Sequence, residues 1–468
     1  MTIQGFYLMP HPPIVIPEVG RGEEEKISAT SDSMYKVGEE IARLAPDTIV
    51  IVSPHGTMFG DAIALAYEDP LRGSLKDFRA HQVSMEIATD KALTNKIFEL
   101  ASEEGIPVVM ADNRLLSSYN ITVKLDHGVM VPLYFINKYY SNYKLVHITY
   151  APLGDIELYK FGEIISKAVK ELGEKVVFIA SGDLSHRLKD DGPYDYHPHG
   201  EKFDREFLQL LQQGDVLGVF NIDRETVCDA GECGRRSVLI MLGALEGFKF
   251  NGDLLSYEGT FGVGYGIVRF NILSEGGSKL AELEGLRREA HNKKHNQRDS
   301  YVRLARQSLT TYITTGRELE EVPEYVTAEM REKKRGVFVS LKKYGELRGC
   351  IGTFLPTTGS IAEEIMRNAI EAGLNDPRFG EVEEEELLDI DFSVDVLEEP
   401  VPAQRPELDP KRYGVIVSSG RKRGLLLPDL EGVDTVDEQL SIACQKAGIR
   451  AGEDYTIEKF EVVRHTEE

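Results

Sequence analysis

Three histidines stand in the same kind of place. His11 follows Phe6-Tyr7-Leu8-Met9-Pro10, His55 follows Thr48-Ile49-Val50-Ile51-Val52-Ser53-Pro54, and His186 follows Val176-Val177-Phe178-Ile179-Ala180 and the loop Ser181-Gly182-Asp183-Leu184-Ser185. Imidazole serves as a metal ligand in its neutral form and moves protons near neutrality. One such histidine is ordinarily a cap or a core residue, but three at the ends of three strands are harder to ascribe to chance. A fourth segment, Ala230-Gly231-Glu232-Cys233-Gly234-Arg235, puts a carboxylate and a thiol side by side at a glycine-bounded helix start. Glu232 there complements the helix N-terminus, or else completes a set of two histidines and one carboxylate. That set is the facial arrangement of non-haem Fe(II) oxygenases, whereas a thiolate in place of the carboxylate favours softer ions such as copper or zinc. Glu232 and Cys233 are adjacent, so only one of them is expected to face inward.

The elements that position these groups follow from periodicity. The β-branched run Ile49 to Val52, stopped by Pro54 and Gly56, reads as a buried parallel strand. Prolines on both sides of His11 keep its loop extended and stiff. Ser28 to Leu44 has helical spacing, with Met34, Val37, Ile41 and Leu44 on one face. A helix is expected around Ser84 to Ala101, a strand at Ile106 to Met110, a strand holding His147, a helix from Glu157 to Leu172, and an apolar helix from Val238 to Leu245. Strand, helix, strand repeats enough for a mostly parallel α/β sheet flanked by helices. Parallel strands would bring His11, His55 and His186 to one edge, where ligands bind in open sheets. Asp126-His127-Gly128 adds another histidine beside an acid. Tyr194 to His199 reads as an exposed loop over the site, a solvated turn rather than a metal site.

The chain has 468 residues, too many for one ordinary core. Its 54 basic and 78 acidic side chains give a net charge of −24, which speaks against nucleic acid or an anionic membrane as main partner. No apolar run reaches the length of a membrane span. Four scattered cysteines make no disulfide framework, and a reducing cytoplasm is the expected location. Eight of the eleven histidines lie between His11 and His199. The expected division is therefore 1–272, a polar linker over 273–296 in which Ala281 to Glu289 has helical character, and a second domain over 297–468.

The second domain reads as α+β. An amphipathic helix starts at Tyr301, a strand follows at Gly336 to Leu341, and a turn at Tyr344-Gly345 leads into Leu347-Arg348-Gly349-Cys350-Ile351-Gly352. A helix over Ser360 to Ala372, a half-wet strand over Leu388 to Val396, a hairpin around Arg421-Lys422-Arg423, a helix over Val436 to Ala447 and a last strand over Thr456 to Val463 complete it. Cys350 beside Arg348 has a route to a lowered pKa. The scarcity of histidine as a base makes a binding surface the favoured role.

Residues 1 to about 272 resemble the class III extradiol dioxygenase superfamily, the LigB-type fold that also includes the MEMO family. The resemblance is carried by Met9-Pro10-His11-Pro12, Ser53-Pro54-His55-Gly56, Leu125-Asp126-His127-Gly128, Ser181-Gly182-Asp183-Leu184-Ser185-His186 and Glu232-Cys233-Gly234-Arg235. It implies Fe(II) held by His11, His55 and Glu232, with His186 as the proton-transfer residue, Asp183 orienting it and His127 lining the substrate site. The implied reaction is extradiol cleavage of a small catechol-type aromatic. Cys233-Gly234-Arg235 also resembles the MEMO family, in which cysteine lies near the metal. That makes Cys233 the alternative ligand and copper or zinc the alternative ion. The segment Leu347 to Gly352 resembles the AMMECR family signature, through Arg348, Gly349, Cys350 and Gly352. A fusion of the two domains resembles a system in which they partner a radical SAM protein. No Cys-x-x-x-Cys-x-x-Cys motif occurs here, so such chemistry would come from that partner. The implied alternative to ring cleavage is a MEMO-like metal-binding scaffold.

Overall fold

Strand order in the larger sheet departs from chain order, and the departure is what gathers the histidines. The computed structural model describes residues 3–295, 299–343, 345–430, 432–450 and 452–467. It falls into two compact units, Met1–Glu284 and Gly285–Glu468. The expected turn residue Tyr344 and the linker's Asn296 lie outside the described residues.

In the first unit the strands are β1 (Ile3–Met9), β2 (Thr48–Ser53), β3 (Ile63–Ala66), β4 (Leu71–Leu75), β5 (Ala80–Ile87), β6 (Val108–Ala111), β7 (Lys144–Thr149), β8 (Val176–Ser181), β9 (Phe248–Glu258) and β10 (Tyr265–Glu275). Eight of them form one sheet in the order β6-β3-β7-β2-β8-β1-β10-β9. Its centre, β7-β2-β8-β1, is parallel, and Met9 pairs with Ser181 as Ser53 pairs with Thr149. The loops after β1, β2 and β8 therefore leave the sheet at one level. Strands β10 and β9 extend it antiparallel on one side.

Both faces of the sheet are covered, which is why its central strands read as continuous apolar runs. Phe6, Leu8, Val50, Val52 and Phe178 point into one core with the helices Lys91–Glu103, Asp155–Leu172, Pro198–Gln213 and Arg235–Ala244. Tyr7, Met9, Ile49, Ile51 and Ile179 point into the other, against Ser28–Leu44 and His127–Ile136.

The expected helix from Ser84 begins later. Residues Ala80–Ile87 form β5, paired with β4, and the helix starts at Lys91, capped by Asp90, which accepts from Leu93 N at 3.1 Å. Ala80, Val83 and Ile87 are buried at a spacing a helix would also produce. Here the pattern comes from a register shift between Ser74 and Leu75. The polar stretch expected as a linker is largely the helix Lys279–His295.

The second unit has two antiparallel sheets. Strands β11 (Val337–Lys343), β12 (Glu346–Thr353), β13 (Ile390–Leu397) and β18 (Val462–Thr466) make one, in the order β12-β11-β13-β18. Strands β14 (Val401–Pro402), β15 (Gly414–Ser419), β16 (Lys422–Leu426) and β17 (Thr456–Phe460) make the other, in the order β14-β17-β15-β16. The expected last strand is thus two, split at Glu461 and shared between the sheets. Helices Ser300–Thr315 and Ile361–Leu374 pack on the first sheet, around Val339, Leu341 and Val394. Arg306 is buried in that core, where its guanidinium meets Glu467 and the carbonyls of Leu387 and Ile390. No helix among the described residues is long and apolar enough to cross a membrane.

Candidate metal centre

His11 is buried at the end of β1, and its tautomer can be worked out from its neighbours. Its Nδ1 lies 2.9 Å from Ser181 Oγ, and that hydroxyl donates its only proton to Gly128 O at 2.5 Å. Ser181 must then accept from His11 Nδ1–H, which leaves a lone pair on Nε2. This Nε2 is 3.0 Å from His55 Nε2 and 3.7 Å from Cys233 Sγ. Donor atoms of His11, His55 and Cys233 all lie within 4.8 Å of one another.

The chemistry of this donor set suits a cation. Burial drives the His11 imidazole well below its usual pKa, with the neighbouring His55 adding to the effect. Burial also lowers His55. Both rings are therefore neutral at neutral pH, the form that ligates. A tetrahedral ion with bonds of about 2.0 Å to nitrogen and 2.3 Å to sulfur would space its donors about 3.3 Å (N to N) and 3.5 Å (N to S) apart. The observed 3.0 and 3.7 Å lie near those values. Without a cation the thiol stays protonated, because burial and then the Asp183 charge push its pKa well up.

Cys233 owes its place to two glycines. A Cβ on Gly182 would overlap Gly234 Cα, so the Ser181–Asp183 loop and the Glu232–Arg235 turn touch backbone to backbone. Cys233 N donates to Asp183 O at 3.3 Å, and Asp183 N donates to Cys233 Sγ at 3.3 Å. Glu232, expected as a donor from the sequence, turns the other way. Its Oε2 accepts from Arg235 N at 2.6 Å, at the start of the helix Arg235–Ala244. Among the described residues it is not in the group that includes His11 and His55.

The remaining expected residues surround this group. His127 opens the helix His127–Ile136 and stacks on His55, with ring centroids 4.2 Å apart. Burial, then the nearby His11 and His55, push its pKa down to about 3. Asp183 Oδ1 accepts from His11 N at 2.8 Å, and Oδ2 lies 3.9 Å from His11 Nε2. Its carboxyl is pushed up to about 6 by burial, against the His11 N–H bond. His186 stacks on Tyr194 at 5.4 Å and donates its backbone N–H to Ala230 O. Among the described residues no hydrogen bond joins its ring to Asp183, so the expected orienting contact is replaced by one to the His11 backbone.

Sequence reasoning gave no role to Ser181, Ser53 or His147. Asp126 caps the His127 helix, accepts from Ser53 Oγ at 2.7 Å, and lies 3.0 Å from His147 Nε2. Burial alone would raise the Asp126 carboxyl, but His147 and Ser53 outweigh it and hold it well below the usual range. All three sit inside strands or caps, where nothing local sets them apart from core residues.

In the second unit, Arg348 is engaged away from the thiol. Its guanidinium grips Glu386 (3.0 and 2.8 Å) and the carbonyls of Gly380 and Glu381. Cys350 Sγ accepts from Ser340 Oγ at 3.2 Å, and Cys350 N donates to Asp376 Oδ2 at 2.8 Å. Gly349 lies against the carbonyl of Ala372 so closely that a Cβ would not fit, and Gly352 lies over the Phe338 ring.

Residues 5–268 match the family model described as the catalytic LigB subunit of aromatic ring-opening dioxygenase. The chain belongs to the LigB family. Residues 302–467 match the AMMECR1 family, so the chain is a MEMO-like fusion of the two domains. It is 66% identical over 467 residues to Protein CA_C1420 of Clostridium acetobutylicum, with 100% of both chains covered. A Thermotoga maritima protein is 50% identical over 168 residues, 35% of this chain and 96% of its own. Among solved structures, the uncharacterized protein PH0010 from Pyrococcus horikoshii is 34% identical, covering 35% of this chain and 88% of its own at a TM-score of 0.32. The uncharacterized protein JW3007 from Escherichia coli K12 is 15% identical, covering 57% and 98% at a TM-score of 0.39.

Proposed function

We propose that the LigB-type unit is a metal-dependent protein of MEMO character whose ion is held by His11, His55 and Cys233. The observation that carries this reading is the direction of two neighbouring side chains. Cys233 Sγ sits 3.7 Å from His11 Nε2, while the Glu232 carboxylate is committed to Arg235 N. Two imidazoles and a thiolate favour copper or zinc over the carboxylate-bound Fe(II) of ring-cleaving enzymes. Bound there, such an ion supplies Lewis acidity and, if it is redox-active, one-electron chemistry.

The chain's own residues define what happens beside it. Ser181 holds His11 in the tautomer that ligates, a role such partners commonly play. His55 is the most exposed of the three although its ring packs on His11 and His127, so the centre opens to solvent on that side. Phe78, 5.3 Å from the His127 ring, and His127 itself flank the opening with flat faces suited to a small aromatic molecule. Asp183 Oδ2, 3.9 Å from His11 Nε2, is placed to take up or release a proton beside the centre.

Ring cleavage is the second reading, favoured by this acid/base capacity. In it His186, held neutral chiefly by burial, takes a proton from a substrate hydroxyl and later returns it. Anaerobic loading of the full chain with Fe(II), copper or zinc, followed by oxygen uptake with a catechol panel, separates the two readings. Uptake that needs Fe(II) and is lost in His186→Asn would establish the dioxygenase. Stoichiometric metal without uptake for any catechol supports the MEMO-like centre. A radical SAM protein as partner rests only on the resemblance of the fusion to a system that has one, and co-elution of the two purified proteins tests it.

A further inference from the structure

A second cluster of ligating groups lies outside the centre just described. His197 caps the helix Pro198–Gln213, His199 is its second residue, and Asp229 comes from the end of the helix Arg224–Ala230. Asp229 Oδ2 is 2.9 Å from His199 Nδ1 and 3.7 Å from His197 Nε2. All three donor atoms fall within 4.8 Å of one another, and each residue is half-buried. The loop expected over Tyr194 to His199 holds as far as His197, with Tyr194 and Tyr196 exposed, but Pro198 and His199 already start a helix, and the two histidines meet the Asp229 carboxylate.

We propose that His197 Nε2, His199 Nδ1 and Asp229 Oδ2 bind a second divalent cation of borderline softness, of the zinc, nickel or cobalt kind. Two nitrogens and a carboxylate oxygen are the donors such ions take, and three protein ligands leave a position for water. A tetrahedral ion with bonds of about 2.0 Å spaces its donors about 3.3 Å apart. The two observed separations fall on either side of that value. One adjustment is required. His197 Nδ1 accepts from His199 N at 3.3 Å, and ligation through Nε2 puts the imidazole proton on Nδ1. The ring must turn out of that long contact as the ion enters.

The ion would act as a staple. His197 N donates to Arg187 O, His186 N donates to Ala230 O, and Arg187 Nη1 reaches Asp229 O. Joining the start of one helix to the end of the other therefore fixes the loop that carries His186. Asp229 also lies four residues before Cys233, so the same ion steadies the turn that presents the thiol. This is a positioning role, independent of which metal the first centre takes.

The test is titration of the metal-free full chain with Co(II), followed by absorption spectroscopy and metal analysis. Thiolate ligation gives an intense near-ultraviolet charge-transfer band, which a site of nitrogen and oxygen donors lacks. The wild type is expected to take up one equivalent with that band and a second with visible ligand-field bands only. Asp229→Asn and His199→Gln should each lose the second equivalent and keep the charge-transfer band, which also reports that the variant is folded. Cys233→Ser should lose the band and keep the second equivalent, so failure of the first centre reads differently from failure of this one. Uptake of the thiolate-bound equivalent alone by the wild type would overturn the proposal. So would a second equivalent that survives both Asp229→Asn and His199→Gln, because Asp229 and its histidines would then be an ordinary ion-paired cluster.

Discussion

Each unit of the chain presents a cysteine in a glycine-rich motif, and the two cysteines meet different surroundings. Cys233 lies within 4.8 Å of ring nitrogens of both His11 and His55, whereas Cys350 receives the Ser340 hydroxyl and has its backbone tied to Asp376. Cys350 lies within a strand, so the ladder decides where it points. Cys233 lies in a turn pressed against another loop, so a contact between distant segments decides. A motif alone does not set a thiol among ligating groups; what other strands bring to it does.

Four comparisons sharpen or break this contrast. The largest effect belongs to His55→Ala, which is expected to abolish thiolate-bound metal uptake, measured by metal analysis and charge-transfer absorption. Cys350→Ser should leave both unchanged. Equal losses in the two variants would erase the distinction. Next come the two serines. Ser181→Ala frees the His11 ring from its tautomer and should weaken metal binding about 10- to 100-fold, as loss of such partners does. Ser340→Ala, in the other unit, should not alter metal affinity in a competition titration.

The close backbone approaches come third. Gly182→Ala forces the loop off Gly234 and should cost about 1–3 kcal/mol, the usual penalty for overpacking, and blur the metal spectrum as Cys233 moves. Gly349→Ala should destabilise its own unit while the spectrum stays sharp. Thermal melting followed with the absorption band reads both.

The smallest effects are pH slopes of opposite sign. Burial pushes the Asp204 carboxyl up to about 7, although Ser185 N–H and Tyr257 Oη–H both donate to it. An unfolded Asp titrates near 3.9. Through that window the folded chain keeps a proton the unfolded chain has released, so stability of the first unit falls as pH rises from about 4 to about 7. Asp376 goes the other way: the Arg378 guanidinium, at 2.7 and 2.9 Å, holds it well below the usual range. Its contribution is present above about pH 4 and is lost as pH falls further. Urea unfolding across this range should lose the first slope in Asp204→Asn and the second in Asp376→Asn.

Much of this architecture is legible in the chain itself, for identifiable reasons. The runs before His11, His55 and His186 are β-branched or apolar and are stopped by proline, glycine or a polar loop. Parallel pairing then follows from the helices between them. Ala80 to Ile87 misleads because a strand with a register shift buries residues at helical spacing. The choice between Glu232 and Cys233 is not local: it depends on Gly182 meeting Gly234, far along the chain. His197 and His199 read as a solvated turn because Asp229, their carboxylate, comes from another helix.

The central claim is that the thiol, and not the adjacent carboxylate, completes the centre with His11 and His55. It is tested most directly by loading wild type, Cys233→Ser and Glu232→Gln with Co(II) or Cu(II) and recording the sulfur-to-metal charge-transfer band. The band should be present in wild type, absent in Cys233→Ser and retained in Glu232→Gln, whose only loss is a modest helix-capping contribution of about 0.5–2 kcal/mol. A band that survives Cys233→Ser, or metal that is lost in Glu232→Gln alone, would contradict it.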